Sequence, residues 1–266
     1  MLIIGERINS TRKPISEAIK ARNAAFILKE AAEQRAAGAD YIDVNCAVTA
    51  GDELQDIDWV ISVIQSGMAD VSLCIDSPDH LAIKMALKVH AGSGRLLINS
   101  ITADDARLDA IVPLAIEHDA SVVALTMTEL GMPSTAEERC EIASSIIGKV
   151  RAKGLDPKRI FFDPLIRPIS TEPDQAREFL RALPLIRALD GAKTICGLSN
   201  VSFGLPRRSL INANFLSMAI QQGLDAAILD PLDRNIISAI RASCALVGKD
   251  EYCGEYIRAF REGKLV

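Results

Sequence analysis

The chain has 266 residues, 49% of them apolar and 24% charged, enough to bury one large core and to exclude disorder as a description of the whole. Thirty lysines and arginines against 35 acidic residues leave a formal charge of −5, so nothing favours a nucleic-acid backbone or an anionic membrane as partner. With 4% aromatics there is no base-stacking or carbohydrate platform, and aliphatic residues must fill the core.

Leu2-Ile3-Ile4 opens the chain as a short β run and passes at once into Gly5-Glu6-Arg7 instead of a signal-peptide hydrophobic region. No later apolar run approaches the roughly 20 residues that span a bilayer, so a cytoplasmic protein is expected. A recurring unit follows: an amphipathic helical stretch, a glycine that can end it, a β-branched run, then a carboxylate or carboxamide. Ala25 to Ala37 is closed by Gly38 and leads to Tyr41-Ile42-Asp43-Val44-Asn45. Leu54, Ile57, Val60, Ile61 and Ile64 form the next stripe, Gly67 ends it, and Val71 to Ile75 delivers Asp76. His80 to His90 precedes Arg95 to Ile98 and Asn99, and Asp104 caps a helix before Ser121 to Thr126.

Thr135 to Lys153 is a helix closed by Gly154, and Ile160-Phe161-Phe162 runs into Asp163. Pro173 to Leu189 is the next helix, which Pro184 is expected to kink or divide, before Lys193 to Leu198 and Ser199-Asn200. Ser209 to Gln222 precedes Ala226 to Leu229 and Asp230, and Asp233 opens a helix to Val247. Glu251 to Glu262 reads as an additional C-terminal helix. Eight β runs, each followed by a helical segment, have the size and rhythm of a single-domain α/β (β/α)8 TIM barrel over residues 1–266. A doubly wound sheet is the alternative, but no GxGxxG opens the first unit.

Chemistry in such a barrel sits at the carboxyl ends of the strands. Those positions read Glu6 and Asn9, Asp43 and Asn45, Asp76, Asn99, Thr126 and Thr128, Asp163, Asn200 and Asp230. Glycine-rich turns or basic residues for a phosphate are missing after the seventh and eighth runs, and His80, His90 and His118 all fall on or beside helices, so no metal site is expected. The six cysteines show no CxxC pair and are expected to be structural thiols. A ring of acceptors and amides suits a planar heterocycle with several N–H donors, because a carboxylate can take two parallel hydrogen bonds from an amidine-like edge. Taken singly, Asp43 or Asp230 is better explained as a capping or turn residue. Asp76, Asn99 and Asp163 are each followed by another capping candidate, Ser77, Ser100 and Thr171, which frees them to line a site.

Met1-Leu-Ile-Ile-Gly-Glu-Arg-Ile-Asn9, Leu73-Cys-Ile-Asp-Ser77, Leu97-Ile-Asn-Ser100, Phe162-Asp-Pro-Leu165 and Gly197-Leu-Ser-Asn-Val-Ser-Phe-Gly204 together resemble the pterin-binding methyltransferases. Within them the resemblance is greatest to the methyltetrahydrofolate:corrinoid protein methyltransferases, and it covers essentially the whole chain. It implies transfer of the N5-methyl group between methyltetrahydrofolate and a corrinoid (cobalamin), in a direction the sequence leaves open. It implies that Asp76, Asn99 and Asp163 hold the pterin edge and that Asn200 is catalytic at N5. Glu6, Ser199, Phe203 and Arg208 match positions near the bound tetrahydrofolate, Phe203 standing where some relatives carry glutamine. No histidine lies in the Asp-x-His-x-x-Gly context of a cobalamin module, so the corrinoid is expected on a separate partner protein. The resemblance further suggests a homodimer.

Two other readings compete. A dihydropteroate-synthase-like condensing enzyme resembles the chain more distantly, but carries a lysine where Asn200 stands, and its second-strand Ser-Thr-Arg-Pro loop is replaced by Asp43-Val-Asn-Cys-Ala47. A non-enzymatic folate-binding barrel is the third.

Overall fold

Side chains of a β-strand alternate between two faces, and in this chain the alternation separates an inner core from an outer one. The structure is a computed structural model that describes residues 1–48 and 51–266. Eight parallel strands close in chain order into a barrel. They are β1 (Leu2–Asn9), β2 (Tyr41–Asn45), β3 (Leu73–Asp76), β4 (Leu96–Ile101), β5 (Ser121–Leu125), β6 (Ile160–Asp163), β7 (Lys193–Gly197) and β8 (Ala226–Leu229), with β8 hydrogen-bonded back to β1. The α/β (β/α)8 expectation is met.

Inside the barrel, Ile4, Tyr41, Cys74 and Leu97 from the first four strands meet Val123, Phe161, Ile195 and Ala226 from the last four, a filled core. The outward residues of the same strands, such as Ile42, Val44, Leu73 and Ile75, pack beneath the helices. The ring of helices runs α1 (Lys13–Lys20), α2 (Ala24–Ala36), α3 (Glu53–Gly67), α4 (His80–Val89), α5 (Asp105–Glu117), α6 (Ala136–Ala152), α7 (Gln175–Arg187), α8 (Arg208–Gln221) and α9 (Arg234–Leu246). In α3 the buried stripe is Ile57, Val60, Ile61 and Ile64, each fully buried isoleucine contributing about 1.5–3 kcal/mol.

Four local expectations are corrected. A short helix, α1, precedes α2 in the first unit; its Ile15, Ala18 and Ile19 are buried at helical spacing. The helix caps are met only in part: Asp104 caps α5 and Asp233 caps α9 as expected, and Asp230 accepts from Leu232 N–H as a turn residue, but Asp79 in place of Ser77 caps α4, and Asp52 in place of Asp43 caps α3. Pro184 does not divide α7, because Phe179 and Leu183 anchor it before the proline and Ile186 after it, while the proline itself is exposed. The extra C-terminal helix is α10 (Gly254–Arg261), shorter than expected because Tyr252 and Cys253 adopt left-handed φ of 53° and 56°; the Asp250 carboxylate then accepts from Glu255 and Tyr256 N–H and starts the helix afresh.

Among the described residues no helix is long and apolar enough to cross a membrane. Cys46, Cys74 and Cys196 are buried in or beside the barrel.

Candidate active site

Two residues beyond the inner core, the strands change character. Alternation brings Glu6, Asp43, Asp76 and Asn99 inward from β1 to β4, and Asp163 and Gly197 from β6 and β7. Asp76 lies beside Asn99 in the β3–β4 register, and Asp163 lies beside Leu125 in β5–β6. An apolar floor is thus topped by a layer of carboxylates at the carboxyl ends of the strands.

The sequence-predicted residues fall into three linked groups. Asp76 accepts from Asn45 Nδ2 through Oδ2 at 2.9 Å, and its Oδ1 has no partner among the described residues. The neighbouring Asn99 carboxamide is likewise without a hydrogen bond to any described residue, so both present unused capacity to the mouth. Asp163 accepts from Leu165 N–H at 2.8 Å, and Gly197 separates it from Asn200: a Cβ built on Gly197 would stand 4.0 Å from Asp163 Oδ2 and 3.2 Å from Asn200 Nδ2. Asn200 ends a 3-10 turn, Leu198–Asn200, and its exposed carboxamide has no partner among the described residues. The third group crosses the barrel. Ser199 Oγ donates to Glu6 Oε1 at 2.6 Å, and Arg208 donates to the Ser199 carbonyl and to Ser202 Oγ, so its guanidinium braces the β7–α8 loop. Phe203 is 64% exposed on that loop, 6.0 Å from the Arg208 guanidinium, outside the inner layer.

The layer is crowded with negative charge in a dry setting, and its carboxyls respond. Burial pushes Asp163 up to about 6, with the Leu165 and Gly197 amides and the Arg139 charge opposing the rise. Burial raises Asp76, against the pull of the Asn45 amide, and raises Glu6, against its bond from Ser199. Asp43 is held far above the ordinary carboxylate range by burial and by the adjoining Asp76 charge, and its Oδ1 is buried without a partner among the described residues. N–H donors or positive charge brought to Asp76 or Asp163 would offset the cost of burying those carboxylates.

Asp163 gives a direct test of that cost. Its carboxyl ionises at about 6 in the fold against an ordinary 3.8, so the ligand-free protein loses stability as pH rises from about 4 to 6, by roughly 3 kcal/mol in all. Asp163→Asn is therefore expected to be more stable than the native chain by up to about 3 kcal/mol at pH 8, and equal to it at pH 4, in urea unfolding. Equal stability at both pH values would show that the carboxyl is not strained.

Several contributors escaped the sequence reading. Arg107 of α5 donates to the carbonyls of Ser77, Pro78 and Ser100, tying down the loops that follow Asp76 and Asn99. Arg7 pairs with Asp230 at 2.9 Å and with Glu30 of α2 at 2.9 Å, so Asp230 is engaged in a part-buried ion pair beside the layer, where its charge still acts on Glu6. Asn45 was legible only as a strand-end amide; its bond to Asp76 needed the barrel. No group of three or more His, Cys, Asp or Glu side chains among the described residues could hold a metal ion.

Comparison with known proteins fits this geometry. The sequence pattern of pterin binding enzymes matches residues 5–230, from the first strand to Asp230. The chain belongs to the pterin-binding enzyme family. This pterin-binding family member is 36% identical, over 100% of its own length and 98% of the relative's, to a methylcorrinoid:tetrahydrofolate methyltransferase of Eubacterium limosum. It is 32% identical to a methionine synthase of Mycobacterium tuberculosis over 86% of this chain, which corresponds to 20% of that longer protein. Among solved structures, the dihydropteroate synthase of Xanthomonas albilineans in complex with 7,8-dihydropteroate superposes with a TM-score of 0.67 over 92% of both chains at 20% identity, a likeness of fold.

Proposed function

We propose that this chain transfers the N5-methyl group between methyltetrahydrofolate and the cobalt of a corrinoid carried by a separate protein. The observation that carries the reading is the meeting of Asp163 and Asn200 across Gly197, in a chain alike from end to end to a methylcorrinoid:tetrahydrofolate methyltransferase. Asp163 and Asp76 accept from the N–H edge of the pterin, and Asn99 both donates and accepts there. Asp76 Oδ1 and the Asn99 carboxamide, neither bonded to any described residue, supply the matching positions.

A methyl on a tertiary amine is a poor electrophile, because departure of the carbon leaves an anionic nitrogen unless N5 is protonated. Asn200 accepts from N5–H once that proton has arrived, so its bond is stronger in the transition state than in the ground state. The carboxylate layer favours the same protonated nitrogen through its field. Ser199 and Glu6 fix the loop from which Asn200 projects, and Arg208 clamps it from the solvent side. Phe203, exposed on the rim, offers a ring face to whatever closes over the mouth. The same residues serve both directions, by microscopic reversibility. We also propose a homodimer of single-domain chains, as the sequence resemblance implies, to be read as two chain masses against one by sedimentation, and a cytoplasmic location.

The reading is tested by following methyl exchange between methyltetrahydrofolate and cob(I)alamin, and between methylcobalamin and tetrahydrofolate, with free cobalamin and with corrinoid proteins. No exchange in either direction, alongside tight folate binding, would favour the non-enzymatic folate-binding barrel. Gly197→Ala probes the geometry, since φ of −76° accepts alanine and the only cost is the new methyl 3.2 Å from Asn200 Nδ2. It is expected to fold normally and to lose about tenfold or more in kcat, because small misplacements of a reacting partner are expensive. Native turnover in this variant would place Asn200 away from the reacting nitrogen.

A further inference from the structure

Arg139 of α6 is the largest of the fully buried side chains, with 0% of its surface exposed. Its Nε donates to the Pro164 carbonyl at 2.7 Å, one terminal nitrogen to the Ser134 carbonyl at 3.0 Å, and the other to Gln175 Oε1 at 2.8 Å. The Pro164 carbonyl and the Leu165 N–H are the two ends of one peptide group. That N–H donates to Asp163 Oδ1 at 2.8 Å. The buried cation and the strand-end carboxylate therefore grip the same peptide from opposite sides. Leu165 adopts φ of +61°, a left-handed conformation that costs a branched residue about 1–2 kcal/mol and that persists only where its surroundings hold it.

We propose that Arg139 is a positioning residue which acts through the Pro164–Leu165 peptide group to orient the Asp163 carboxylate and favour its ionised form. A charged donor on the carbonyl polarises the peptide and strengthens donation from its N–H, and a charge-assisted bond is about twice as strong as a neutral one. Fork geometry matters as much as charge: three donors in one plane fix the β5–α6 loop at Ser134, the β6–α7 loop at Pro164 and the start of α7 at Gln175. The proposal rests on the reading that Asp163 holds the pterin edge. Other groups face this pair. Glu138 and Glu178 lie near Arg139, Glu178 being engaged with Ala136 N–H and Arg181; Arg167 approaches from the β6–α7 loop; the Cys196 thiol of β7, packed on the outer side of the strand, feels the charges of both Asp163 and Glu6.

The test is a carbon NMR titration of the Asp163 carboxyl in the folded, ligand-free protein, assigned with Asp163→Asn, together with the pH dependence of tetrahydrofolate affinity. In Arg139→Met the Asp163 midpoint is expected to move up from about 6 by one pH unit or more, and in Arg139→Lys, which keeps the charge but loses the fork, by less. The affinity midpoint should move in step, and the Leu165 amide should exchange with solvent at least about tenfold faster in both variants. A lowered melting temperature with an unmoved Asp163 midpoint overturns the proposal and leaves Arg139 a purely structural residue. If Arg139→Met does not fold, Arg139→Lys decides alone: an unchanged midpoint and unchanged Leu165 exchange overturn the proposal. A moved midpoint with an unmoved folate affinity sustains the link between Arg139 and Asp163 but removes Asp163 from the folate site.

Discussion

Asn200→Ala is expected to bind methyltetrahydrofolate within about threefold of the native protein and to lose about 100- to 1,000-fold in kcat, the usual cost of one contact made only in the transition state. The asymmetry follows from where the side chain stands. Asn200 is exposed at the mouth and its carboxamide bonds to no described residue, so its removal leaves no buried partner stranded and little ground-state binding to lose. Its oxygen gains a donor only when N5 has taken up a proton. Calorimetry of folate binding and stopped-flow absorbance of cob(I)alamin consumption separate the two quantities. Native turnover would remove Asn200 from the chemistry, and a large loss of affinity would make it a binding residue instead.

Asp163→Ala should show the reverse pattern, with folate affinity reduced about 100-fold or more and the pterin N–H groups left without their charged acceptor. Because the buried carboxyl ionises at about 6, the native affinity is also expected to fall about tenfold per pH unit below that value, as protonation removes the acceptor. The sign is opposite to that of ligand-free stability, which rises as the same group is protonated. Asp163→Asn keeps an acceptor for Leu165 N–H and should bind weakly with no dependence on pH from this group. Isothermal titration between pH 5 and 8 reads both effects, and a native-like pH profile in Asp163→Asn would assign the titration elsewhere.

Much of the candidate site's arrangement was legible because a parallel barrel turns sequence order into spatial order. Asp76, Asn99 and Asp163 each end an apolar β run, and closure of the strands in chain order suffices to bring such ends to one mouth. The capping question was less legible. Several acidic or hydroxyl residues follow every strand: Asp104 and Asp233 were legible as caps, but a one-dimensional reading did not single out Asp52 and Asp79, which turn their oxygens to the N-termini of α3 and α4. The arginines were missed for a related reason. Arg107 and Arg139 lie on helices, where a basic residue ordinarily faces solvent, and only the packed loops reveal carbonyls waiting for them.

By itself the sequence determined the eightfold alternation, the aliphatic core and the chemical types at the strand ends, because these follow from periodicity and from which residues can be buried without partners. Tertiary structure alone decided the pairings: Ser199 with Glu6, Asn45 with Asp76, Arg7 with Asp230, and the peptide shared by Arg139 and Asp163. Hydrogen bonds and ion pairs depend on distances of a few tenths of an ångström between residues far apart in the chain, and no local pattern encodes them. The same holds for Asp163's ionisation, which is set by the water that barrel closure excludes.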